Sequence, residues 1–168
     1  MNISEQLMVE MSRRNADYIA NYIGSDTHLF KTLVDLVFSG KPPLPQRASW
    51  VITAVTDKYP DLLKPYLKRI ISQIEKFDHP GTRRNLLKYI ADNEIPPSTE
   101  GKLYDVCYQW LLSRNEPPAV KVHSMQVLYN IAEKEPDLKN ELRLILEELS
   151  NHESAAIKSR CRQLLAKI

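Results

Sequence analysis

Six side chains, Trp50, Lys64, Lys68, Arg69, Gln73 and Lys102, carry the chemistry this sequence can be read for, and that chemistry is binding rather than catalysis. Lys64, Lys68, Arg69, Gln73 and Lys76 fall on the polar side of one predicted helix. Joined by Lys102, they would line a shallow basic groove suited to an acidic peptide or a nucleic-acid backbone. A solvated face explains the same spacing without any ligand, because helices with one apolar face usually carry charge on the other. Trp50 lies beside an apolar stripe rather than within it, which makes it the aromatic best placed to meet a partner. Trp110, Tyr104 and Tyr108 sit inside such a stripe and read as packing, although aromatics in a basic groove can stack on bases.

A second set of charges recurs. An acidic residue is followed at +5 by a cation in Asp78 and Arg83, in Glu116 and Lys121, and in Glu153 and Lys158, with 38 and 37 residues between successive acids. These cations, and Arg84, fall near predicted helix N-termini, where the helix dipole disfavours positive charge, so another interaction must hold them. An inter-repeat ladder, in which each cation pairs with an acid of a neighbouring turn, satisfies that need. Phosphate contact is the alternative.

Catalytic chemistry finds no foothold. His28, His79, His123 and His152 show no metal-ligand spacing, and His152-Glu153 lacks the second histidine of a zinc-protease helix. No nucleophile motif or phosphate loop appears, and with four glycines in 168 residues a glycine-rich signature loop is absent. No metal and no cofactor is expected, although a site assembled across repeats is not visible in sequence. The two cysteines, Cys107 and Cys161, form no CxxC pair and fit a reducing compartment. The N-terminus shows no signal-peptide pattern and no segment has the length of a membrane span, so a soluble cytoplasmic protein is expected.

Net charge is only +2, which steers nothing strongly, but it is unevenly spread. Residues 41–92 hold 10 basic and 5 acidic side chains, against 3 and 5 in residues 1–40 and 10 and 11 in residues 93–168. Any electropositive surface therefore belongs to the middle of the chain.

The elements that must position these residues follow from an internal repeat. Ala48 to Leu62 returns as Ser124 to Leu138, 76 positions later, pairing Val51 with Val127, Ile52 with Leu128 and Val55 with Ile131. Both copies end in the same Lys-x-Pro-Asp-Leu break. Around the copies the spacing predicts one helix over 4–23 capped by Ser4, a second from Ser25 or Asp26 to Gly40, and a Pro-rich linker at 41–46. Helix pairs follow over 46–168, the first having a long second helix from Leu62 to Phe77. The helix at Leu103 to Leu112 carries apolar residues over most of its circumference and is expected to be buried in the middle of the structure. Leu63, Leu67 and Ile71 of the first copy are replaced by Lys139, Arg143 and Glu147 in the other, so the first copy needs a cover that the N-terminal hairpin can supply. The last helix, Ala155 to Ile168, ends the array in mid-unit and offers a surface for a second copy of the chain.

Helix pairs recurring near 38 residues, the openings Glu116-Pro-Pro-Ala-Val-Lys121 and Glu153-Ser-Ala-Ala-Ile-Lys158, and the small residue three positions later at Ser124 and Cys161 together resemble the HEAT and armadillo-like helical repeat proteins. Leu86 stands where the middle unit should have its small residue. The resemblance implies a single all-α domain, a right-handed superhelix of helix pairs whose second helices line a concave surface. The repeat, the absence of catalytic constellations and the near-neutral charge lead to the expectation of a non-enzymatic scaffold binding a protein or peptide along that surface, without a membrane. The alternative is a nucleic-acid-binding module resembling the HEAT-like DNA alkylation repair glycosylases, motivated by the basic middle segment with Trp50 and Trp110.

Overall fold

The computed structural model describes residues 1–152 and 154–168, with the His152 side chain left out. It is all-helical among the described residues and divides into two compact units, residues 1–70 and 71–168.

In the first unit, Asn2 opens α1 (Ile3–Val9) by accepting from the Glu5 backbone N–H, so the cap is Asn2 rather than Ser4. The chain then breaks where the sequence predicts continuity. Ser12 accepts from the Asn15 N–H and starts α2 (Arg13–Ile23), and the Asn15 side chain ties the corner by donating to the carbonyls of Gln6 (3.0 Å) and Glu10 (2.9 Å). Gly24, at φ 51°, closes α2, and Asp26 caps α3 (Thr27–Val37) by accepting from His28 and Leu29 N–H groups. Those bonds, the Leu29 one foremost, hold the Asp26 carboxyl below its usual range.

After a positive-φ Gly40, α4 (Leu44–Thr56) carries the first copy of the repeat and forms the centre of this unit, packing on α1, α2 and α3. Ala48, Val51, Ile52 and Val55 are each at most 2% exposed. The long helix expected after it is broken. Pro65 has no N–H to donate, and the chain winds as a 3-10 helix over Pro60–Tyr66 before α5 (Leu67–Ser72) begins. Leu63 and Leu67 are buried, and Phe30 of α3, fully buried, meets the Tyr66 ring at 5.9 Å.

In the second unit, His79 caps α6 (Pro80–Ala91) by accepting the Gly81 N–H on Nδ1. A 3-10 turn over Pro97–Thr99 leads into α7 (Glu100–Leu112), followed by α8 (Pro118–Ala132), α9 (Pro136–His152) and α10 (Ala155–Leu165). Helix α8 holds the second copy of the repeat and packs on α6, α7, α9 and α10. It, not α7, is the helix buried in the middle. Val127, Leu128 and Ile131 are at most 4% exposed, and even Lys121 is 6% exposed. On α7 only Leu103, Val106, Cys107 and Leu111 are buried, while Tyr104, Tyr108 and Trp110 are half-covered and Leu112 is 49% exposed. The same short stretch thus supplies the central helix of each unit.

Leu86, Ser124 and Cys161 occupy equivalent, fully buried positions of α6, α8 and α10. Ser124 lies beside the Cys107 thiol, which burial pushes far up, so Cys107 lacks the thiolate character that reactivity requires; Cys161 is also free and buried. Ser124 Oγ reaches no full hydrogen bond, since a thiol is a weak partner.

Candidate functional site

The expected binding residues fall in both compact units. In the first unit, Arg69 donates to Asp35 Oδ1 at 2.7 Å and lies 4.2 Å from the centre of the Phe38 ring. Asp35 also accepts from Lys31 at 2.5 Å, and the two cations, Lys31 first, hold its carboxyl below the ordinary range. Lys64 pairs with Asp61 at 2.6 Å. Lys68 is exposed between these pairs in sequence. Trp50 is half-buried on α4 and walls a shallow depression with Leu7, Met11, Asn15, Arg47 and Val51. Arg47 donates to the Leu7 carbonyl at 2.7 Å, leaving its buried Nε unbonded. Trp50 is therefore a wall of the α1 and α2 corner rather than a ring standing clear of the surface.

In the second unit, Gln73 is half-buried at the start of a short 3-10 turn, Ile74–Lys76. Lys102, on α7, donates to the Ser72 carbonyl at 2.8 Å and pairs with Glu75 at 3.1 Å. Lys64, Arg69 and Lys102 thus each hold a carboxylate of their own unit. The cations carry their own acids: Asp61 lies only three residues from Lys64, while Asp35 and Glu75 lie far in sequence from Arg69 and Lys102.

Of the recurring acids and cations, one pair meets across neighbouring helix pairs. Asp78 is exposed, whereas Arg83 reaches Glu116, the acid that opens the next helix pair, with side chains only 17% and 9% exposed. Arg83 Nε also donates to the Phe77 carbonyl at 2.5 Å, and the guanidinium sits 4.8 Å from the centre of the Trp110 ring. Trp110 is engaged by this cation and is not a free stacking surface. Lys121 is buried on α8 and Lys158 half-buried on α10, while Glu153 lies outside the described residues. A further link, Lys134 to Glu100 at 2.5 Å, joins the turn after α8 to the start of α7 and has no counterpart in the sequence reading.

The sequence reading also passes over a cluster along α6, α8 and α10. Arg160 donates to Gln126 Oε1 at 2.8 Å, Gln126 to Asn130 Oδ1 at 2.9 Å, and Asn130 to the Ala91 carbonyl at 2.8 Å. Neutral amides have no sequence signature that would single them out. One turn from Gln126, His123 is half-buried, and its imidazole is pushed down to about 4, by burial first and then by Arg160, Arg84 and Lys88.

That shift has a sign. The folded value lies below the ordinary 6.5, so the neutral ring is favoured by folding, and its stability contribution is complete above about pH 6.5 and lost as the pH falls towards 4. Allowing for solvent screening of a half-buried group, about 1–2 kcal/mol should disappear across that window. Urea unfolding at pH 7 and pH 4.5 should show this extra loss in the native chain and not in His123→Gln; parallel losses in both would refute the assignment.

Tyr104 and Tyr108 stack at 6.2 Å, and burial first, then Glu141, raises the Tyr104 hydroxyl to about 12. No group of three or more His, Cys, Asp or Glu side chains is placed to hold a metal among the described residues. No helix among them is long and apolar enough to cross a membrane.

No curated protein and no solved structure matches the chain. The family model of the HEAT repeat domain matches residues 3–168, which spans both compact units and every element described above. With its paired helices and the twice-used central stretch, the chain belongs to the HEAT repeat family and is a helical repeat scaffold.

Proposed function

We propose that this scaffold is non-enzymatic and binds a protein or peptide partner along its second helices, with Lys64, Lys68, Arg69 and Trp50 of the first unit and Gln73 and Lys102 of the second among the contacts. The observation that carries this reading is the state of the cations. Asp61, Asp35 and Glu75 already hold Lys64, Arg69 and Lys102. A backbone of phosphates gains affinity by replacing counterions on uncompensated cations. Cations with built-in carboxylates gain less from a polyanion, whereas alternating charge matches the polar rim of a protein interface. The basic middle segment therefore supports the nucleic-acid reading less than its composition suggests.

A different protein is a better partner than a second copy. The outer positions of α10 include Ser159, Arg162 and Gln163, all exposed and polar, which suit self-association poorly.

Lys68→Glu is the clean test, because Lys68 is exposed and its replacement disturbs none of the ion pairs described. Affinity capture compared quantitatively between native chain and variant should show partner recovery falling about tenfold, equivalent to about 1.4 kcal/mol. Equal recovery of every captured protein would remove this surface from the proposal.

A further inference from the structure

We infer that the depression between α1, α2 and α4 docks a partner-protein segment in which a carboxylate side chain stands next to a large apolar one. The choice of a protein segment rests on the scaffold reading above; the side-chain chemistry rests on the geometry of this one corner of the first unit.

Arg47 supplies the charge. From α4 it donates through Nη1 to the Leu7 carbonyl at 2.7 Å, one of the last carbonyls of α1, which have no partner within their own helix. That bond fixes the guanidinium without cancelling its charge. Its Nε is buried with no acceptor, and no carboxylate among the described residues pairs with it. The other arginines of this unit each hold one: Arg13 bonds Asp17, Arg14 bonds Glu10 and Arg69 bonds Asp35. A partly buried guanidinium held by one neutral carbonyl is an uncompensated charge, which an incoming carboxylate meets with short, charge-assisted bonds.

The rest of the depression is mostly apolar. Trp50 and Val51 follow Arg47 by one turn on α4 and line the depression with Leu7 and Met11. The Trp50 ring is half-buried, and its indole N–H has no acceptor among the described residues. Met8, Val9 and Met11 are large apolar side chains left exposed at the same corner. Tryptophan, arginine and methionine together are the residue types in which protein interfaces are enriched, and methionine adapts its shape to what it meets. Glu10 also lines the depression, but its carboxylate is taken up by Ser12 Oγ at 2.7 Å and Arg14 at 3.2 Å.

Size and charge select the occupant. The depression has an empty volume of about 180 Å³, below the roughly 300–1,000 Å³ of pockets that enclose a small molecule. It suits side chains presented by a larger body rather than a free metabolite. Residues 1–70 hold 9 basic and 7 acidic side chains, and Arg13 and Arg14 near the corner are already paired. Arg47 therefore answers one carboxylate, whereas a run of phosphates would need a longer track of cations.

The test uses the full chain carrying Trp110→Phe, which leaves Trp50 as the one tryptophan. Four probes are compared: a capped heptapeptide with Leu-Glu-Leu at its centre, a twin with Gln for Glu, a twin with Ala for both Leu, and a short oligothymidylate. Binding is followed by Trp50 fluorescence, and by calorimetry on the native chain. The Glu peptide should bind saturably and shift the Trp50 emission, and each twin should bind about tenfold more weakly. Arg47→Gln should erase the preference for Glu over Gln, because the two partners of that contact are coupled. Met11→Ala, at an exposed position, should weaken the Glu peptide about threefold and keep the preference, so the site stays testable even where Arg47→Gln loosens the end of α1. Equal binding of the Glu and Gln peptides to the native chain, a preference that survives Arg47→Gln, or no Trp50 response at millimolar peptide would overturn the site. Tighter binding of the oligothymidylate than of the Glu peptide would overturn the protein source. Failure here with partner capture still sensitive to Lys68→Glu would leave the scaffold reading intact.

Discussion

Replacing Leu128 with alanine should lower the unfolding free energy by about 3 kcal/mol, within the roughly 2–5 kcal/mol that buried leucines cost when truncated. Leu128 is fully buried on α8, which packs on four other helices, so its side chain has neighbours on every side and the cavity has no exposed wall through which to collapse. Met8→Ala, at an exposed position, should change stability by less than about 0.5 kcal/mol. Urea denaturation of both variants checks the pair. A Leu128→Ala loss near that of Met8→Ala would mean that α8 is not the centre of its unit.

Glu116→Ala should be as damaging, by about 3 kcal/mol, for an electrostatic reason. The Arg83 guanidinium is mostly buried, and without Glu116 it keeps only the Phe77 carbonyl and the Trp110 ring. Removing one partner of a buried pair leaves the other desolvated and uncompensated, which costs about 3–5 kcal/mol, with the remaining contacts offsetting part of it. The double variant Arg83→Met with Glu116→Leu should recover much of the loss, because two apolar groups leave no orphaned charge. A double variant as unstable as the sum of the singles would show that the pair acts through packing alone.

The features that could be read from the sequence are those with local causes. Gly24 and Asp26 mark the α2 to α3 turn because positive φ and an N-cap acceptor are properties of single residues. The repeated stretch points to α4 and α8 because a buried face must keep its apolar residues in register. The break at Ser12 stays hidden, since Leu7, Met8 and Met11 run on at helical spacing while the corner is stabilised by Asn15 reaching back to carbonyls. The wider apolar arc of α7 misleads about burial, because burial depends on how many helices surround a helix. Helix α8 has four such neighbours; α7 leaves Leu112 in solvent.

The candidate site divides in the same way. Residue types at Arg83, Glu116, Lys64, Arg69 and Lys102 are visible in the sequence, but their partners are set by packing. Arg83 passes over the nearby Asp78 to reach Glu116, and the carboxylates of Asp35 and Glu75 temper a charge that composition shows as basic. The Arg160, Gln126 and Asn130 chain shows least of all in sequence, because two amides on α8 bonded to an α10 arginine and an α6 carbonyl have no periodic signature.

The central functional claim is that the partner of this HEAT repeat scaffold is a protein. Affinity capture with the tagged full chain, divided between a nuclease-treated low-salt wash and an untreated high-salt wash, tests it most directly. The account predicts a protein partner retained through both washes and reduced by Lys68→Glu. Co-purifying nucleic acid that vanishes with nuclease or salt, with no protein retained, would contradict it.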